Sequence, residues 1–131
     1  MLDLSFDGRQ RILLVRFSGV FSSEDLASLD AAALPFVARE IPAGAILDFS
    51  AVDAVAVPPS VLSRRGQWPQ LVPGQKRVIV AKQPKAFYRA REYARQQRDA
   101  GSAEPLVVHT LEEAYQLFDL REPNFEPVPD A

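Results

Sequence analysis

The stretch Ala45-Ile46-Leu47-Asp48-Phe49-Ser50-Ala51-Val52-Asp53-Ala54-Val55-Ala56-Val57, closed by Pro58-Pro59-Ser60, decides how this chain is read. Gly44 precedes a near-continuous apolar run, Ala45 to Leu47 and then Phe49. Such a run, bounded by turn residues, is the mark of a strand buried on both faces. Asp48 interrupts it, so this acid must either reach a hydrogen-bond donor or lie at the strand's end. Pro58 and Pro59 lack an N–H and cannot sit in a central strand. They suit the first turn of a helix, where that N–H has no partner. The expectation is a strand that leaves the sheet near Ser50 and a helix that begins near Pro59.

Working outward, the same strand-then-helix step recurs. Leu2, Leu4 and Phe6 alternate with Asp3 and Ser5, the period of a strand with one wet face. Asp7-Gly8 signals a turn, and Arg11 to Gly19 reads as a second strand, giving an antiparallel hairpin. Ser22 or Ser23 caps a helix whose apolar positions are Leu26, Leu29, Ala33, Phe36 and Val37, with Pro35 expected to kink or split it. Downstream, a short helix runs from Ser60 to about Trp68, and Pro69, Pro73 and Gly74 mark a loop. Arg77 to Ala81 is a buried strand, Pro84 to Ala100 a helix stopped by Gly101, and Pro105 to Val108 the last strand. Thr110 and Glu113 form a capping box ahead of a final helix.

The order β-β-α-β-α-β-α-β-α implies an α/β fold: a mainly parallel five-stranded sheet, an N-terminal antiparallel hairpin, and helices mostly on one face. Residues 1–120 are read as one domain and residues 121–131, with Pro123, Pro127 and Pro129 among acids, as a tail without a core of its own.

Composition bounds the function classes. A 131-residue chain with 47% hydrophobic and 24% charged residues is one ordinary globular domain. It has no cysteine, which excludes disulfides, thiol nucleophiles and thiolate metal sites. No run approaches the roughly 18 apolar residues of a membrane span. Met1 to Phe6 has no basic region leading into an apolar core, so a cytoplasmic location is expected. The charges are segregated: residues 64–98 hold ten Lys or Arg and one acid, whereas residues 1–63 and 99–131 each hold eight acids, against four Arg and one Arg. That asymmetry points to an anionic partner or to pairing within the fold.

Leu47, Asp48, Phe49, Ser50 and Val52, with Pro58-Pro-Ser-Val-Leu62 beyond, resemble the central motif of the STAS family, which includes the bacterial anti-sigma-factor antagonists. The order of elements from residue 2 to about 120 is also similar to that family. The resemblance implies a STAS-like fold and a regulatory, protein-binding role. The family's phospho-acceptor segment is not matched: Ala56, Val57, Pro58 and Pro59 stand where its Asp, Ser and Gly belong.

Ligands of parallel α/β sheets favour the edge where strands end and helices begin. That edge is expected to gather Ser50, Asp53, Ser60, Lys82 and His109 as ligand- or partner-binding residues. The plainer roles are turn bonding for Ser50, helix capping for Ser60 and a carbonyl contact for His109. A serine, a histidine and an acid are an inventory, not a triad, and no Gly-x-Ser-x-Gly elbow or glycine-rich phosphate loop is present. One histidine excludes a multi-histidine metal site.

On the helix from Pro84, the residues Tyr88, Arg91, Arg95 and Arg98 share a face. It is either a solvated surface or a contact for an anionic partner, and the acidic tail is one candidate to cover it, within the chain or from a neighbouring subunit. Trp68 with Leu71 and Val72 either closes the core or marks a contact.

The expected function is a non-enzymatic STAS-like interaction or regulatory module that needs no cofactor. Its partner is a protein, or a small amphipathic or anionic ligand in an apolar pocket. A hydrolase is less favoured and nucleic acid is disfavoured. The hairpin strand and the Trp68 segment are the surfaces open to a homodimer.

Overall fold

The structure is a computed structural model and describes residues 1–66 and 74–128. Strands β1 (Leu2–Asp7) and β2 (Ile12–Phe21) are followed by helix α1 (Ser23–Glu40) and strand β3 (Gly44–Val55). Then come α2 (Pro59–Gly66), β4 (Lys76–Val80), α3 (Pro84–Asp99), β5 (Leu106–Val108), α4 (Leu111–Leu117) and β6 (Glu126–Pro127). They form one sheet in the order β5-β4-β3-β2-β1-β6. β2 through β5 run parallel, and β1 is antiparallel to β2 and to β6. The α/β architecture read from the sequence is therefore observed, with one strand more than the five expected.

The sixth strand comes from the segment read as a tail. Glu126 and Pro127 pair with Phe6 and Ser5 of β1, and the Val128 N–H donates to the Leu4 carbonyl at 2.9 Å. Pro127 is tolerated because an edge strand has a side that needs no donor. Phe125 stacks on Tyr115 at 5.9 Å between ring centres. The described part of the acidic C-terminal segment, to Val128, thus reaches the β1 edge, across the sheet from α3, and does not cover the basic helix face.

The two faces of β2 feed two cores. Leu13, Val15 and Phe17 point to one side, against Leu26, Leu29, Ala33 and Phe36 of α1 and Leu62 of α2. Ile12 and Leu14 point to the other, with Ile46, Val78, Val80 and Ala114 of α4. Helices α1, α2 and α3 cover the first face and α4 the second, because each right-handed crossover to the neighbouring parallel strand returns on the same side.

Several local expectations shift. α1 is continuous through Pro35, held by packing on the sheet. β2 does not stop at Gly19: that residue takes φ 71° within a register shift, and the strand continues to Phe21. β3 does not leave the sheet at Ser50 but runs beside β2 to Val55. Between the pairs Arg16–Asp48 and Ser18–Ala51, and again between Gly19–Val52 and Val20–Ala54, β3 gains one residue on β2. Each bulge resets the alternation of faces, which is why Phe49, Val52 and Val55, three apart, all pack on the same core. The segment around Trp68 lies outside the described residues. Among the described residues no helix is long and apolar enough to cross a membrane.

Candidate functional site

Asp48, the acid inside the quoted stretch, finds the donor it requires. It is the register partner of Arg16 on β2, and Arg16 Nε donates to its carboxylate at 3.2 Å. The Ser50 N–H and hydroxyl donate to its other oxygen at 2.9 and 2.5 Å. Ser50 is therefore a local turn bonder on an exposed stretch of strand. Asp53 is exposed two residues before the end of β3, and Ser60 is exposed in the first turn of α2. Lys82 follows β4 and His109 follows β5, both exposed.

All five stand toward the carboxyl ends of the strands, as expected of this topology. Among the described residues no hydrogen bond or ion pair joins any two of them. His109 makes a ring contact instead: it stacks on Phe87 of α3 at 4.1 Å with 6° between planes. Thr110, just beyond it, accepts the Glu113 N–H on its hydroxyl at 3.1 Å and donates its own N–H to the Glu113 carboxylate, completing the capping box. No group of three or more His, Asp or Glu side chains among the described residues is placed to hold a metal ion.

Beyond Asp48, β3 pairs with β2 alone; its β4 side is unpaired from Phe49 to Val55 among the described residues. Val20, opposite Ala54, is 55% exposed on the same ribbon. Tyr88, Arg91, Arg95 and Arg98 of α3 are also exposed. Arg98 is engaged with Glu104 at 3.3 Å and with Asp99, while Arg91 sits over the Phe87 ring. A hydrogen bond to Glu92 is the main cause that holds the Tyr88 phenol above its ordinary pKa, with Arg95 opposing it.

The inner face of α3 lines a cavity the sequence did not reveal. A partly open pocket of about 370 Å³ lies between α1, α2, α3 and the face of β2–β4 that carries Phe17, Phe49 and Ile79. Phe17 stacks on Phe49 at 4.6 Å, and Phe21 meets both edge-on at 5.0 Å, so one end is aromatic. The other end is cationic. Arg77 of β4 lines it at 5% exposure, and Arg89 and Tyr93 of α3 stand with it. Arg77 Nη2 donates to the Ala103 carbonyl at 2.7 Å, and its Nε has no acceptor. Burial lowers the Arg77 pKa from its ordinary value, and the Tyr93 phenol, hydrogen-bonded to it, acts the other way. In the same wall Arg65 of α2 is neutralised by Asp30 of α1 through two hydrogen bonds, 3.0 and 2.6 Å.

Strand parity was the signal that could have found Arg77: in Lys76-Arg77-Val78-Ile79 it shares a face with Ile79, inward. Asp30, Arg65, Arg89 and Tyr93 gave no such signal, because only the fold brings three helices together there.

No family model and no curated protein matches this chain. Among solved structures it is similar to one described as the anti-sigma factor antagonist SpoIIAA in its unphosphorylated form. The two superpose with a TM-score of 0.55 at 13% identity, over 88% of this chain and 94% of that one. A shared path over nearly both chains, together with the observed strand order, makes this an α/β domain with the STAS-like fold of an anti-sigma-factor antagonist.

Proposed function

We propose that the chain is a regulatory protein-interaction module without catalytic activity of its own, and that its partner docks at the free end of the β2–β3 ribbon. The observation that carries this reading is the unpaired β3 edge. From Phe49 to Val55, among the described residues, no strand pairs with the β4 side of β3, and Ser50 and Asp53 are exposed along it. Natural proteins cover or charge such edges unless a partner uses them. Ser60, Lys82 and His109 are exposed at the same end of the sheet, and Tyr88, Arg91 and Arg95 are exposed on α3. The fold it shares with an anti-sigma-factor antagonist supports a binding role in kind.

The test is affinity capture from extract with three baits: wild type, Asp53→Pro and Arg91→Glu/Arg95→Glu. The expected result is a stoichiometric protein partner retained by wild type and lost with Asp53→Pro, which changes an exposed residue at a bulge, where a proline spares the core and the register pairs with β2. Charge reversal on α3 is expected to weaken capture most at low salt, where steering by surface charge is strongest. A partner held equally by all three baits would place the contact elsewhere.

A further inference from the structure

We propose that the cavity between the sheet and helices α1–α3 binds a single-chain amphiphile with one carboxylate head, a fatty acid, with its head on Arg77 and its chain against Phe17 and Phe49. This site is separate from the β3 edge, and either can fail without the other.

Arg77 carries the argument. A guanidinium keeps its proton at any physiological pH, so burial cannot be relieved by titration. A buried charge is tolerated when it is paired and its donors are satisfied. Among the described residues Arg77 is offered a carbonyl and a phenol but no carboxylate, and its buried Nε–H has no acceptor. The contrast is Arg65, which in the same cavity has its own acid in Asp30. One cationic group is thus internally neutralised and the other is not. An anion entering the cavity beside Arg77 supplies the missing counter-charge.

The rest of the lining selects what that anion is attached to. Leu29, Leu62 and the stacked phenyl rings are apolar, and a cavity of such surface holds water poorly. Its 370 Å³ lies within the range of about 300–1,000 Å³ typical of small-ligand sites. Arg77 is the register partner of Ala45 at the start of β3, and Phe49 lies four residues further on. At strand spacing the cationic and aromatic ends are therefore about 13 Å apart. An elongated apolar chain with one charged end fits that polarity. A single charge matches the one deeply buried cation, whereas a phosphate dianion would leave a second charge to be met by half-buried Arg89.

Isothermal titration of the full chain with dodecanoate and dodecyl phosphate, each below its micelle concentration, and dodecanol, below its solubility limit, tests the site. Dodecanoate is expected to saturate at one per chain and to bind at least tenfold tighter than dodecanol, on the order expected for a charge-assisted hydrogen bond. Arg77→Met is expected to reduce dodecanoate to the level of dodecanol and leave dodecanol unchanged. Ala90→Phe, which fills the cavity from α3, is expected to abolish both. No saturable binding to wild type, equal dodecanoate binding by wild type and Arg77→Met, or tighter binding of the phosphate would each overturn the proposal. Should circular dichroism show Arg77→Met unfolded, Ala90→Phe decides: undiminished dodecanoate binding sinks the site.

Discussion

Single side chains in this protein divide by whether their requirements are local. Asp48 and the Thr110–Glu113 box were legible in the sequence because an acid in a strand needs a donor and a capping pair needs three residues' spacing. Arg77 was not, since its burial depends on helices far away in the chain. Asp7 belongs to both groups. Its Oδ1 accepts the N–H groups of Arg9 and Gln10 at 3.0 and 2.9 Å, a local turn device. Its Oδ2 accepts the Gln10 side chain at 2.9 Å and the N–H of Asn124, 117 residues away, at 3.0 Å. Burial alone would raise its pKa, but these hydrogen bonds outweigh it and the net shift is downward. A depressed carboxyl contributes stability that is present above its unfolded value, 3.8, and is lost as pH falls through the lower folded one. Asp7→Asn turns an acceptor into a donor facing two donors. It is expected to cost about 1–3 kcal/mol at neutral pH. It is also expected to flatten the acid limb of stability below about pH 4. Urea melts of both proteins from pH 2.5 to 7 check it; parallel curves would mean that Asp7 is not a source of the acid limb.

At the scale of elements, the existence and order of strands and helices followed from periodicity, and their ends did not. β2 and β3 were read too short for one reason: Gly19 and the spacing of Phe49, Val52 and Val55 imitate a strand's end when bulges reset the alternation. α1 was expected to break at Pro35 and does not. Its apolar residues Leu26, Leu29, Ala33 and Phe36 fall along one stripe that the sheet buries, and that packing holds the helix across a residue that removes the bond to the Ala31 carbonyl. The cost of the proline is therefore still present in the folded protein. Pro35 is exposed, so replacing it disturbs no core contact. Pro35→Ala is expected to raise stability by about 1–3 kcal/mol, the lost hydrogen bond and ring clash being partly offset by a freer unfolded chain. Thermal melts measure this directly. A lower melting temperature would show that α1 needs the bend a proline imposes.

At the scale of the whole molecule, the C-terminal segment is where composition misled most. Prolines and acids marked residues 121–131 as a tail, yet its apolar residues, Phe125 and Val128, are spaced to reach both cores. Val128 packs with the α1 side and Phe125 with the α4 side. The segment covers the β1 edge that would otherwise be open to a second chain. Among the described residues the sheet is thus closed at one margin and left unpaired along β3 near the other, and the difference bears on where a partner can add. Ending the chain after Leu120 removes two half-buried apolar side chains, the β6 bonds and one of the four hydrogen bonds to Asp7. Together these are worth roughly 3 kcal/mol. The melting temperature should fall on the order of 10 °C for a domain of this size. Sedimentation velocity should show self-association through the newly exposed β1 edge, while capture of a partner at the β3 edge persists at temperatures below the melt. If the shortened chain stays monomeric but no longer captures that partner, the C-terminal segment itself is part of the docking surface, and the β3 edge is not sufficient for it.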